Sequence, residues 1–246
     1  MAHWTPEKTR AARRDFEKAA AEAWAGLAHV SMLDFLRGWN NASEKNIVEA
    51  KEALQKSDAI GHSVALAHVA RAKIHEVEGN LQGEIDALTH ALKLDPDLAD
   101  AYAHKANALI LLGRAEEAPE LLTQAIRLSQ GDPELGLCYW FKGRAYFHMN
   151  DMDPAIHWLR KSVEVRPTTW FSWAHLISAY ALRERFEEAR AAVNEYRPRF
   201  AAYWPLENIK RYYDQPKYDR TLLQIREALD RYLRGLQTAK ERVDFP

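Results

Sequence analysis

The chain has 246 residues, 47% of them hydrophobic, a net charge of −1 and a single cysteine. That hydrophobic share supports a real core, and near-neutrality argues against bulk electrostatic attraction to nucleic acid. One thiol excludes an internal disulfide and a thiolate metal cage within one chain, so Cys138 reads as a small buried hydrophobe. No run approaches a membrane span. The first twenty residues, MAHWTPEKTRAARRDFEKAA, carry no apolar targeting segment, so a cytoplasmic location is expected.

Ala, Leu, Glu and Arg richness without alternation of β-branched residues predicts an all-α fold. Thr5-Pro6-Glu7 reads as a helix start, with Thr as cap and Pro at the first helical position. The helix that follows carries Phe16, Ala20, Ala23, Trp24, Leu27 and Val30 near one stripe, and Gly26 leaves its continuity open. Met32 to Trp39 continue the apolar character. Asn40 to Ser43 then form a turn and cap, and Ile47, Ala50, Ala53 and Leu54 mark the buried side of the next helix. Residues 22–57 read as an atypical first repeat, as terminal repeats often are.

Four helical pairs follow, headed by His68, Tyr102, Tyr139 and Trp173 at intervals of 34, 37 and 34 residues, with an apparent insertion at Ser129–Asp132. A small residue four positions after the first three heads, Ala72, Ala106 and Gly143, leaves room for a close helix crossing. Gly79, Gly113 and Asn150 occupy the turn, where a left-handed residue ends a helix; the fourth unit has Glu184 there, which leaves its turn geometry open. Pro96, Pro133 and Pro167 close the second helices. This is the signature of a tetratricopeptide array, in which a unit too small to fold alone buries its faces on its neighbours. The expected architecture is a right-handed α-solenoid. Residues 1–57 form the N-terminal helices and first repeat, and four units span about 62–96, 97–132, 133–167 and 168–197 within 58–197. Residues 198–246 form a C-terminal cap.

In that cap the period stops after Tyr196, and Pro198, Pro205 and Pro216 punctuate one or two short helices. Phe200, Tyr203, Trp204, Tyr212, Tyr213 and Tyr218 are expected to cover the open end of the last repeat, with a partner-binding cluster as the alternative. A final amphipathic helix is expected over Thr221–Gln237, with Leu222, Ile225, Leu229, Tyr232, Leu233 and Leu236 on its apolar side. Charge is uneven: residues 44–130 carry 14 acidic and 9 basic residues, whereas 197–246 carry 11 basic and 7 acidic. A difference of that size reads first as solvated surface.

LSQGDPELGLCYWFKGRAYFHM, RPTTWFSWAHLISAYALRERFEEARAAV, FLRGW at Phe35–Trp39 and the terminal RYLRGLQTAKERVDFP carry a narrower likeness. Over roughly residues 33–246 the chain resembles the C-terminal repeat region of bacterial class III adenylate/guanylate cyclases. Similar regions follow winged-helix DNA-binding domains in some regulators. Neither a cyclase domain nor a winged-helix head is present, and no catalytic residue of that family has a matching position. The resemblance therefore implies an interaction or regulatory module.

A search for chemistry finds little. His68 and His75 are seven apart, but neither has a ligand-type residue four positions away, and the other histidines fall at unmatched offsets. No HExxH, phosphate-binding glycine loop or nucleophile elbow occurs. Glu116-Glu117 and Glu187-Glu188 recur at the start of a second helix, where they complement the helix dipole. No enzyme, metal or cofactor is expected. In a right-handed stack the first helices line the concave face, and positions one and five past each head point into it. Lys73, Asn107, Trp140, Arg144, Phe147 and Ser178 are the candidate partner-binding residues: an apolar groove with a few donors, suited to a protein or peptide partner. Whether that groove is open or filled by the chain's own C-terminal helix stays open. A homodimer through the C-terminal aromatics or the Trp4/Phe16/Trp24 helix is a further possibility. The functional expectation is an adaptor, with a ligand-responsive regulator as the alternative.

Overall fold

The stretches rich in strong helix formers are helical in the computed structural model, which describes residues 6–38, 40, 42–132, 134–202, 205–213 and 223–246. No strand occurs among them. The chain divides into two compact units, Met1–Ala101 and Tyr102–Pro246. The expected cap at Thr5, the closing Pro133, and Trp4, Trp39, Tyr203, Trp204, Pro216, Tyr218 and Leu222 lie outside the described residues. So do the side chains of Tyr212, Tyr213, Ile225 and Leu229.

The first unit opens with α1 (Pro6–Arg37), one continuous helix of 32 residues that Gly26 does not interrupt. It is followed by α2 (Glu44–Ala59), α3 (Ala65–Glu78), α4 (Leu81–Leu94) and the first turn of α5 (Ala99–Leu111). Ser43 caps α2 in a capping box with Asn46. α1 packs on α2 and α3, and α3 on α4. Their contact is built on small residues: Ala25, Ala28, Ala50, Ala53, Ala67 and Ala70 surround Met32, Leu54 and Ile74. Such side chains let helix axes approach closely. Ser57 secures the α1–α2 pair, its buried hydroxyl donating to the Ala21 carbonyl at 2.9 Å.

The second unit continues α5 and adds a short 3-10 turn at Ala115–Glu117, α6 (Ala118–Leu128), α7 (Leu135–His148), α8 (Met152–Val165), α9 (Trp170–Leu182) and α10 (Phe186–Phe200). Then come α11 (Leu206–Tyr213) and α12 (Leu223–Val243). Consecutive helices from α6 to α10 pack on one another. Gly143 meets the expected close crossing: a Cβ there would lie 2.7 Å from Leu159 Cγ. Pro198 does not end α10 as expected; the helix runs through it to Phe200. Proline here removes one backbone donor and crowds the carbonyl four residues back, but only two helical residues follow it.

Both ends of the repeat keep the period. Gly79, Gly113, Asn150 and Glu184 all adopt left-handed φ, at 72°, 81°, 63° and 56°. After each, the next amide closes on a carbonyl five residues back: Asn80 on His75, Arg114 on Leu109, Asp151 on Tyr146 and Arg185 on Tyr180, all at 2.9 Å. This is the Schellman closure of a helix C-terminus. Glu184 thus takes the same geometry as the glycines.

The final helix α12 runs to Val243, beyond the expected end at Gln237. α12 covers the end of the second unit, packing on α9, α10, α7 and α11. Tyr232, Leu236, Ala239, Val243 and Phe245 are all buried. The terminus is tied down by the Leu206 amide donating to the Pro246 carbonyl at 2.9 Å and by Arg197 on Asp244 at 2.8 Å.

Candidate partner-binding site

Asn107, Trp140 and Arg144 come from the first helices of successive pairs, as their register predicts, and they meet. Arg144 is 3% exposed, and its Nη1 donates to Asn107 Oδ1 at 3.0 Å. Its guanidinium lies 5.4 Å from the centre of the Trp140 ring, within cation–π range. Its buried Nε has no acceptor, and no carboxylate pairs with it among the described residues. A buried charge without a counter-ion is costly, so its persistence calls for a reason.

Around this trio lies an aromatic cluster. Trp140 packs on Phe171 at 4.2 Å and edge-on to His175 at 5.8 Å. His175 stacks on Tyr232 of α12 at 4.3 Å. Its Nδ1 lies 2.8 Å from the Phe171 carbonyl, which can only accept, so Nδ1 carries the proton. The 3.5 Å approach of Trp140 Nε1 to that same nitrogen is then an edge contact and not a hydrogen bond. Burial, and then the Arg144 charge, pull His175 down to about 3. Burial also drives His148 well below the ordinary histidine range, followed by Arg144, His175 and Arg231. Both imidazoles are neutral at physiological pH, leaving Arg144 as the fixed positive charge.

The other expected residues are placed differently. Lys73 belongs to the first unit, is 6% exposed and pairs with Asp100 at 3.3 Å. Phe147 and Ser178 are fully buried beneath α12. The Ser178 hydroxyl donates to the Tyr232 carbonyl at 2.9 Å, and Phe147 meets the Tyr232 ring at 6.2 Å. The expectation that these two face a partner is corrected accordingly: within the second unit α12 occupies that part of the inner face. Sequence reasoning put Tyr232 on an apolar face and left open whether its helix fills the groove, but did not identify Phe147 and Ser178 as the residues it covers. Gly235 was the available signal. Glycine inside a helix is unfavourable unless something approaches closely, and a Cβ there would lie 2.1 Å from Ser178 Oγ.

Beside α12, Asn150, Asp151, Met152, Asp153, Leu182, Arg183, Arg231 and Arg234 line a polar cavity of about 560 Å³. Arg231 is anchored, donating to the Phe147 and His148 carbonyls at 3.2 and 3.3 Å. Burial lowers its pKa, and the neighbouring Arg234 lowers it further. Asp153 pairs with Arg183 at 3.7 Å.

Helix pairs of one length, closed by one turn geometry, define an all-α fold of tetratricopeptide units. Residues 99–132 and 137–169 match the family model "Tetratricopeptide repeat". Among curated proteins, the BBSome complex member BBS4 of Mus musculus is 27% identical over 147 residues, covering 48% of this chain and 28% of that protein. The chain thus spans little more than a quarter of that relative's length. The solved structure described as "Functional Characterization of Pseudomonas Aeruginosa pilF" superposes with a TM-score of 0.65 at 19% identity, covering 92% of both chains. "YrrB: a TPR protein with an unusual peptide-binding site" gives 0.53 at 17% identity, covering 75% of this chain and 93% of that one. At these identities the likeness is one of fold, the tetratricopeptide solenoid class.

Proposed function

We propose that the chain is a non-enzymatic protein–protein adaptor that recognises a polypeptide through the inner-face surface around Asn107, Trp140 and Arg144. The observation that carries this reading is the Arg144 guanidinium, buried beside Asn107 and Trp140 with no carboxylate partner among the described residues. A partner's carboxylate would supply the missing counter-charge and take a charge-assisted hydrogen bond. Trp140 and Phe171 offer an apolar floor beside it. α12 covers the far part of this face at Phe147 and Ser178, which restricts the proposed contact to the α5–α7 part. The printed description of YrrB as a peptide-binding repeat protein supports the class of ligand by analogy of fold alone. The test is affinity capture from the source organism with the wild-type chain, Arg144→Met and Asn107→Ala as baits. The expected result is a partner retained by the wild type and lost by both variants at unchanged helicity; an identical set of partners for all three sinks the site.

A second reading, a ligand-responsive regulatory module, is favoured by the arginine-lined cavity of about 560 Å³, which falls in the size range of small-ligand sites. It accords with the resemblance to cyclase-associated repeat regions. Thermal-shift measurements with anionic metabolites separate the two, because a selectively bound ligand raises the unfolding midpoint. Stabilisation abolished by Arg234→Glu favours the regulator, and a flat response across the metabolite set favours the plain adaptor.

A further inference from the structure

α1 has two apolar faces. Ala21, Ala25, Ala28 and Met32 are fully buried against the rest of the first unit. On the opposite side Thr9, Ala12, Phe16, Ala23, Leu27 and Val30 follow one another at spacings of three, four and seven. These are the intervals of a helix-pairing seam. This second face is not covered: Phe16 is 75% exposed, Leu27 49% and Val30 54%. Over the described residues from Glu7 to Ala20 none is buried, and only Ala11 and Ala12 are half-buried. A helical segment of this length without tertiary packing is marginal in water, since isolated helices below about 12–15 residues rarely hold.

The uncovered seam already contains a receiving site. Thr9, Ala12, Arg13 and Phe16, at i, i+3, i+4 and i+7, form the four-residue diamond that receives a helix knob, and they line a cavity of about 480 Å³ together with Glu17, Ala20 and Ile60. The same surface thus presents both a knob, Phe16, and a hole of matching placement. Its charges are also self-complementary. Arg13 has no partner among the described residues, and Glu17 meets only His62 at 3.9 Å. The two lie on one flank of the seam, four residues apart. In an antiparallel pair with its two-fold axis near residue 14, each Phe16 enters the other copy's diamond while each Arg13 comes within reach of the other copy's Glu17. A two-fold interface requires this kind of self-complementarity, in which residue i meets j and j meets i.

We propose that the exposed seam of α1 is an interface between two copies of this chain, paired antiparallel, with Phe16 as reciprocal knob and Arg13–Glu17 as reciprocal ion pairs. This surface lies in the first unit and is independent of the Arg144 site. Sedimentation velocity on the full chain across a micromolar concentration series tests it. The wild type is expected to move from monomer to dimer mass. Phe16→Glu, Arg13→Glu and Glu17→Arg are each expected to stay monomeric, with helicity and unfolding midpoint equal to those of the wild type at concentrations where the wild type is itself monomeric, because the altered side chains are exposed. Mixing Arg13→Glu with Glu17→Arg at equal amounts is expected to restore dimer mass, as is the double exchange within one chain. A wild type that is monomeric throughout overturns the proposal. So does a dimer unaffected by these substitutions, or a failure of the complementary mixture to associate.

Discussion

Ser178 of α9 donates its hydroxyl hydrogen to the main-chain carbonyl of Tyr232, 54 residues away on α12, at 2.9 Å. The contact brings the α9 and α12 backbones so close that residue 235 has no room for a side chain. A Cβ on Gly235 would stand 2.1 Å from Ser178 Oγ and 2.6 Å from the Ser178 carbonyl oxygen. Gly235→Ala therefore forces the helices apart and is expected to destabilise the chain by about 1–3 kcal/mol, the usual range for overpacking. Urea unfolding followed by circular dichroism measures it, and a midpoint equal to wild type would show that α12 does not hold this close seat.

Glu184 is the one repeat-turn residue whose side chain suits its backbone poorly. It holds φ at 56° where two of the other units use glycine, and its side chain is exposed. Left-handed backbone costs an L-residue roughly 1–2 kcal/mol, which glycine avoids. Glu184→Gly is expected to raise stability by about 0.5–1 kcal/mol after the entropy penalty of glycine, and Gly113→Ala to lower it. Thermal melts of the two variants should shift in opposite directions.

Stability should fall as pH falls below neutrality. His175 is held at about 3 in the folded chain, against an ordinary value of 6.5. Between those values the unfolded chain binds a proton that the folded chain does not, so acid favours unfolding. At pH 5 this one site removes about 2 kcal/mol relative to pH 7, from roughly 1.4 kcal/mol per pH unit. His148, shifted in the same direction, adds to the slope. His175→Phe keeps the ring packing but not the titration. Its unfolding free energy should change less between pH 7 and pH 5 than that of wild type, and equal slopes would contradict the assignment.

Arg144 should separate function from stability. Replacing buried ionic groups by apolar side chains of similar volume is commonly neutral or stabilising when no partner charge is left behind, and Arg144 leaves only the neutral Asn107 amide. Arg144→Met is therefore expected to unfold at the same or higher urea concentration while losing the partner bound through this surface. A large loss of stability would assign Arg144 to the core.

Much of the fold was legible because it rests on local rules. The four heads, the small residues beneath them and the turns at Gly79, Gly113 and Asn150 each act within a turn or two of helix. The meeting of Asn107, Trp140 and Arg144 followed from the same register, since the repeat period places successive first helices side by side. Lys73 was misjudged because nothing in its own helix announces Asp100, which lies 27 residues on and neutralises it. Pro198 was misjudged because only two helical residues follow it, so the neighbouring turns hold α10 to Phe200.

By itself the sequence determined most of the helices, their pairing and the closure of the turns at Gly79, Gly113 and Asn150, since backbone propensity and hydrophobic period operate over a few residues. Only the tertiary structure decided which part of the inner face is covered. Tyr232 comes from 54 residues beyond Ser178 to cover it, and Arg231 from 84 beyond Phe147 to cap the helix beneath. Neither α12 nor the inner face carries a local mark of the other, because apolar faces are complementary in shape and area and leave no pairing code in sequence. Gly235 is the exception, a backbone approach so close that it left its trace in the chain.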